Sequence, residues 1–276
     1  MIPLASHNID MAEITPFDNA RFLIDLATKL QDERQSDGEH RFTPEVRGQI
    51  ALLEEMSVIN NCVYSLFDFE QYRYIFHTEN LFNLIGVKPE QQHKEWDPAY
   101  LALIEDRKPI ETFIALRKQY LAMIPADQRT GFQSVTCGVY AMNLRGKRLR
   151  GMYCARPLTF DRSGNVKLSF DSLSDVKNLM LPEPGYWIRF STGKSTHHWH
   201  SHHQQFVAKD IASPREIEFI GLWKSGLSIP EIAAQASVSS YTVKNQLANA
   251  RQRLLARDNT SLSQLATLAG LLTEPF

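Results

Sequence analysis

The sequence predicts an α+β protein: an antiparallel-sheet domain preceded by helices and followed by an all-α unit of four helices. Three observations predict it. Between Cys62 and Val176 several runs alternate apolar and polar residues and are broken by turn residues, the pattern of half-buried strands. The stretches before and after carry apolar residues at helical spacing instead. From Ser213 onward, serine three residues ahead of Glu or Gln recurs at Ser213/Glu216, Ser228/Glu231 and Ser261/Gln264, a helix-start signature. At 276 residues the chain is long enough for two domains with separate cores. The expected division is 1–58 helical, 59–205 sheet domain and 206–276 helical domain.

In order, Met11 to Gln35 and Glu45 to Val58 have helical periodicity, separated by the polar Ser36-Asp37-Gly38-Glu39; Thr43-Pro44 suits the start of the second helix. Cys62 to Phe69 and Tyr72 to His77 form an aromatic-rich hairpin. Glu79 to Glu90 is a short helix ended by Gly86, and Pro98 to Met123 is helical with an interruption near Pro109. Gln133 to Asn143, Leu149 to Phe160 and Val166 to Val176 are strands, with turns at Arg145-Gly146 and at Asp161 to Asn165. Tyr186 to Phe190 and His198 to His200 add a further hairpin.

In the last quarter, Ser213 caps a first helix with Pro214 at its first position, and Gly226 suits a left-handed cap at its end. Ser228 caps a second helix, and Ser239 or Ser240 a third. Phe219, Ile220 and Trp223 face Ile232 and Ala233, with Val238 and Val243 closing a small core. Two short helices and a longer one joined by tight turns can place the last in a major groove. From Asn259 to Leu272 a fourth helix carries the apolar stripe Leu262, Leu265, Ala266, Ala269 and Leu272.

This segment resembles the DNA-binding domain of LuxR/FixJ-type bacterial transcription regulators. The matching residues are Pro214-Arg215-Glu216, Gly226-Leu227-Ser228, Glu231-Ile232-Ala233, Val238-Ser239-x-x-Thr242-Val243-Lys244-Asn245, Asn249, Leu254 and Asn259-Thr260-x-Leu262. Three positions depart: Ser237 and Leu255 stand where glycine is usual, and Gln246 replaces a common histidine. The resemblance implies that Lys244, Asn245 and Ala248 face the groove, and that Ser239, Ser240, Tyr241 and Thr242 lie near phosphates. It also implies a homodimer on an inverted repeat, paired through the fourth helix. The chemistry agrees: Lys donates to guanine, Asn pairs with adenine, and Ala admits a thymine methyl. Lys244, Arg251, Arg253 and Arg257 lie in a stretch without acidic residues, suited to phosphate.

The upstream element order resembles a PAS domain over roughly 59–177. Phe67-Asp68-Phe69, Leu84-Ile85-Gly86-Val87-x-Pro89-Glu90 and Pro157-Leu158-Thr159-Phe160-Asp161-x-x-Gly164-Asn165 carry that likeness. It implies a sensory or dimerising domain whose ligand the sequence does not name. No cofactor is expected: Asn61-Cys62 precedes a strand rather than sitting on a flavin-binding helix, and His77 and His93 are not placed as haem ligands. The tryptophan-tyrosine-aspartate pattern of an acyl-homoserine-lactone pocket and the paired acids of a phospho-receiver are not recognisable.

The run His197-His-Trp-His-Ser-His-His203 holds five of the chain's nine histidines. Its alternation allows a second reading, a zinc-type metal sensor using His198, His200 and His202. The net charge of −1 confines nucleic-acid binding to a local basic face. Three widely spaced cysteines fit reduced structural thiols. No apolar run or leader pattern suggests a membrane, so a cytoplasmic protein is expected. Without a phosphate loop, nucleophile elbow or paired-carboxylate pattern, no enzyme is expected. The expected partners are double-stranded DNA and a second copy of the chain, with RNA polymerase a candidate third.

Overall fold

Two packed layers meet a helical bundle in the computed structural model of the protein, which describes residues 16–35, 43–71, 73–85, 108–125, 128–129, 132–143, 145–162, 164–192 and 194–272. Helices α1 (Pro16–Gln35) and α2 (Pro44–Asn60) come first. Thr43 caps α2 through its hydroxyl, which accepts from Val46 N, and Pro44 opens the helix as expected. The expected linker 36–39 lies outside the described residues. Strands β1 (Val63–Asp68) and β2 (Arg73–His77) form the aromatic hairpin. Its turn is held by Asp68, whose Oδ1 accepts from Glu70 N and Gln71 N at 2.8 and 3.0 Å.

Helices α3 (Asn80–Ile85) and α4 (Lys108–Met123) follow. Pro109 stands in the first turn of α4 and does not interrupt a described helix, because a proline there removes only an N–H that has no intrahelical partner. The expected helical residues 98–107 and the Gly86 stop lie outside the described residues.

Strands β3 (Gln133–Met142), β4 (Arg148–Phe160) and β5 (Val166–Asp175) occupy their expected positions, followed by β6 (Trp187–Ser191), β7 (Thr196–His200) and β8 (Gln205–Val207). All pair antiparallel in one sheet of order β2-β1-β5-β4-β3-β6-β7-β8. The first five strands with α3 and α4 give the PAS-like arrangement that the element order implied. The hairpin β6–β7, anticipated from its aromatic residues, widens that sheet at the β3 edge, and the three-residue β8 was not foreseen.

Alternation sorts each strand between two faces. On one face Ile188 and Phe190 of β6 pack with Tyr120 and Ile124 of α4. On the other, α1 covers the β1–β5 end, where Leu23, Leu26 and Leu30 meet Leu66, Ile75 and Leu168. At the far end of that same face Val135, Cys137, Met152 and Trp187 share one core with the carboxy-terminal helices.

Candidate nucleic-acid interface and its attachment to the sheet

The carboxy-terminal unit consists of α5 (Pro214–Lys224), α6 (Ile229–Gln235), α7 (Ser240–Leu254) and α8 (Asn259–Leu268). Local chemistry sets each start. Ser213 and Glu216 form a reciprocal capping box, the hydroxyl accepting from Glu216 N and the carboxylate from Ser213 N at 2.8 Å. Glu231 accepts from both Ser228 N and Ser228 Oγ, and these bonds hold its carboxyl below the usual range. Ser239, rather than Ser240, caps α7 by accepting from Thr242 N at 3.0 Å. The start of α8 differs from expectation. Asp258 is its cap, accepting from Ser261 N at 2.7 Å, and Ser261 is buried inside the first turn. A carboxylate three residues ahead of Ser261 reaches the helix's unpaired amides before the serine hydroxyl can.

The turns follow the same logic. Gly226, at φ +92°, ends α5. Ser237, where glycine is usual, adopts φ +53° between α6 and α7 and keeps the turn. Leu255 likewise takes φ +57° to end α7, and its buried side chain and hydrogen-bonded carbonyl offset the strain.

Val243, Leu247, Ala250 and Leu254 turn one stripe of α7 into the bundle core with Phe219, Ile220, Ile232 and Ala233. The opposite stripe is outward. Tyr241 is 73% exposed, so its ring is not a packing residue; Lys244 and Asn245 are exposed, and Ala248 is half-buried beside them. Ser239 is exposed, and Ser240, Thr242 and Arg251 are half-buried. Asn249 and Gln252 are exposed too and extend the face of Asn245, a membership that helical spacing from Asn245 announces.

Two arginines of the basic stretch are otherwise engaged. Arg253 donates to the Ile211 carbonyl at 2.9 Å and ion-pairs with the buried Glu216. Arg257 lies 3.5 Å from Asp258. The stripe of α8 is also mostly used internally: Leu262, Leu265, Ala266 and Ala269 are buried, leaving Gln264, Thr267 and Leu268 exposed.

The tail of the recognition helix is fastened to the sheet. Trp187 Nε1 donates to the Leu254 carbonyl at 3.1 Å, satisfying an acceptor that the helix end leaves free. Met180 and Ala256 form an isolated antiparallel bridge, with Leu181 N donating to Leu255 O at 2.8 Å and Arg257 N to Leu179 O at 2.9 Å. The strip 181–185 is itself held by the buried Arg150 of β4, which donates to the carbonyls of Leu181, Glu183 and Gly185. On the entry side, Arg189 of β6 grips Asp210 through two bonds of 2.7 and 2.8 Å, and the Lys209 carbonyl lies 2.7 Å from His198 Nδ1. Gly138, at a bulge in β3, runs against this strip: an added Cβ would stand 2.5 Å from the Gly185 carbonyl.

The histidine run belongs to this attachment and not to a metal centre. Alternation along β7 sends His198 and His200 to the side of the helical bundle and His197 to Tyr120 of α4. His200, His202 and His203 stay close, with ring centroids 4.9 and 5.3 Å apart. Their nitrogens are spent elsewhere: His200 Nδ1 accepts from His202 N, and His202 Nε2 lies 3.1 Å from the Pro184 carbonyl. Among the described residues no group of three or more His, Cys, Asp or Glu side chains could hold a metal ion. The zinc-sensor reading on His198, His200 and His202 is therefore corrected. Burial, with the neighbouring His202 and His203, pushes the His200 imidazole down to about 4.

No described helix is long and apolar enough to cross a membrane. Residues 210–268 match the family described as GerE, bacterial regulatory proteins, luxR family. No curated protein sequence matches the chain. Among solved structures, the chain is similar to the Vibrio cholerae VqmA–ligand–DNA complex, at 17% identity over 80% of this chain and 92% of that one, with a TM-score of 0.29. The Vibrio cholerae VqmA dimer without target DNA shares 16% identity over 79% and 88%, with a TM-score of 0.28. The N-terminal domain of a diguanylate cyclase with PAS/PAC sensor from Marinobacter aquaeolei shares 10% over 42% and 94%, with a TM-score of 0.31. These structural likenesses are loose. The capped helices, the outward face of α7 and the family match over 210–268 together make the carboxy-terminal unit a LuxR-type helix-turn-helix DNA-binding domain, carried behind a PAS-like sheet domain.

Proposed function

We propose that the chain is a sequence-specific transcription regulator in which α7 reads the major groove while the sheet domain controls its presentation. The division into 1–58, 59–205 and 206–276 separates lead-in helices, sensor and reader. Lys244 and Asn245 would donate to base edges and Ala248 would admit a thymine methyl. Ser239, Ser240, Tyr241, Thr242 and Arg251 would meet phosphates, fixing register without reading sequence. The observation that carries this is the outward stripe of α7: it presents Tyr241, Lys244 and Asn245, and no acidic residue occurs anywhere in that helix.

Two copies would bind an inverted repeat with recognition helices about 34 Å apart. The exposed edge of α8, Gln264, Thr267 and Leu268, is available for that pairing. Because the end of α7 is fastened to β6 and to the strip 181–185, a change in the sheet would move the recognition helix instead of being lost in a flexible linker. RNA polymerase is the natural further partner of a regulator that activates.

The test is selection of bound fragments from sheared genomic DNA by the full chain, followed by gel shift of Lys244→Ala on the selected duplex. The expected loss is about 1–3 kcal/mol, greater on the preferred sequence than on random DNA. An equal loss on both would reduce Lys244 to a phosphate contact. Failure to select any sequence would overturn the function.

A further inference from the structure

The sheet face turned toward α4 carries polar groups where a core would carry apolar ones. In strict register, Ser65 of β1, Asp171 of β5, Ala155 of β4 and Ser134 of β3 stand side by side across four neighbouring strands. Thr136 and Tyr153 are paired in the adjoining row, and Ser169 flanks Asp171 along β5. The same rows continue into Phe190 and Ile188, which pack on Tyr120 of α4, so the set shares their face. Asp171 is 2% exposed, and Ser134 and Ser169 are each 1% exposed.

Few of these groups satisfy one another. Tyr153 donates to Asp171 Oδ2 at 2.7 Å. Asp171 Oδ1, Ser169 Oγ, Ser134 Oγ and Thr136 Oγ1 have no hydrogen-bond partner among the described residues. Each such buried group costs about 1–3 kcal/mol, so four on one face are expensive unless they are used. Alanine or valine would fill the same strand positions at no such cost. The one small residue in the row, Ala155, lies between Asp171 on one side and Ser134 on the other, leaving a notch floored by a methyl group.

We propose that this notch is a binding site for a small planar molecule, no wider than one six-membered ring, that donates an N–H to Asp171 at one end and accepts from Ser134 or Thr136 at the other. The proposal rests on the sensory role of the sheet domain and names the class of its ligand. The width follows from the register. Asp171 and Ser134 are two strand spacings apart, about 9.6 Å. Two hydrogen bonds of about 2.9 Å each leave roughly 4 Å between the ligand's own donor and acceptor atoms, the span of a single ring. Bicyclic bases and larger cofactors are too wide. Charge favours a neutral ligand over a cation. Arg117 of α4, whose guanidinium lies over the Phe69 ring at 5.2 Å, acts on both Tyr153 and Asp171 and already balances the carboxylate. Burial pushes the Asp171 carboxyl up to about 6, against the Tyr153 hydrogen bond that lowers it, so proton sharing with a weakly basic ring is within reach.

The experiment is isothermal titration of the full chain with cytosine and with nicotinamide, using adenine as the oversized control and benzoate as the charge-reversed one. Cytosine or nicotinamide should bind and the two controls should not. Asp171→Asn should weaken the binding by about tenfold or more, since it replaces a charged acceptor. Ala155→Leu, which fills the notch without touching a polar group, should abolish it while the far-ultraviolet circular dichroism stays that of the wild type. Binding unchanged in Ala155→Leu would overturn the proposal. So would no heat from either probe at millimolar concentration, an outcome that leaves water as the only partner of these groups. Gel shift of the same preparation separates the two readings: DNA binding without probe binding refutes the notch alone, and probe binding without DNA binding refutes the regulator alone.

Discussion

Replacing Trp187 by phenylalanine should cost roughly 2–4 kcal/mol and should act on the joint between the two domains. The indole is fully buried in the core shared by β3, β4 and the helical bundle, and its N–H is the donor to the Leu254 carbonyl at 3.1 Å. Phenylalanine keeps an aromatic ring but removes the donor, leaving a buried acceptor at about 1–3 kcal/mol. The smaller ring also leaves a void on the order of 40 Å³, worth about 1 kcal/mol at the usual cost per unit of cavity volume. Urea unfolding followed by circular dichroism measures the total, and hydrogen exchange locates it. Amides of 179–181 and 254–257 should lose protection before those of β4 and β5, because the bridge between Leu179, Leu181, Leu255 and Arg257 depends on the same contact region. A variant within about 0.5 kcal/mol of the wild type, the range of an ordinary surface substitution, would refute the reasoning. So would a loss spread evenly over all strands.

Ser213→Ala should destabilise the helical bundle by about 1 kcal/mol through loss of the capping box, read as a lower urea midpoint. Gly138→Ala should destabilise by more than that. It places a Cβ against the Gly185 carbonyl at a φ of +100°, and the same urea titration measures it. Two buried groups set the pH dependence with opposite signs. His200, depressed from 6.5 to about 4, contributes stability that is present above pH 6.5 and lost as pH falls toward 4. Asp171, raised from 3.8 to about 6, contributes stability that is present below pH 4 and lost as pH rises toward 6. Between pH 4 and 6 the slopes therefore oppose each other, and melting temperatures of the wild type should vary little there. Asp171→Asn leaves the histidine slope uncompensated and should melt progressively lower as pH falls from 6.5, whereas a flat profile would contradict the assignment. Adding zinc should not raise the melting temperature, since the ring nitrogens of His200 and His202 are already committed within the protein; a rise lost in His200→Ala would restore the metal reading.

The reader domain was legible because short-range chemistry writes it. Capping serines, a left-handed glycine at 226 and a 3–4 residue apolar rhythm specify three helices and their turns, and the outward stripe of α7 follows from the buried one. The start of α8 was misassigned by a single competing acceptor: Ser261/Gln264 matches a capping box, but Asp258 reaches the same amides first. The strands were legible through alternation, yet alternation does not say what covers each face. That is why the histidine run suggested a metal site. Two of its members are swept to the bundle side and tie down the Lys209 and Pro184 carbonyls, long-range contacts that no local pattern encodes. Arg150 and Trp187 are the same case: a buried arginine serving three carbonyls and an indole serving a helix end are visible only once strands and bundle are assembled. Asp171 looked like one polar residue in a strand, and its partners on β1, β3 and β4 are set by register alone.

The central claim, that α7 carries the chain onto duplex DNA, is tested most directly by the salt dependence of binding. Fluorescence anisotropy of the full chain on its selected duplex, titrated from about 50 to 200 mM salt, should show log K falling linearly with log salt. Lys244→Ala with Asn245→Ala should remove preference for the selected duplex over random sequence. Retention of that preference in the double variant, or affinity indifferent to salt, would contradict the account.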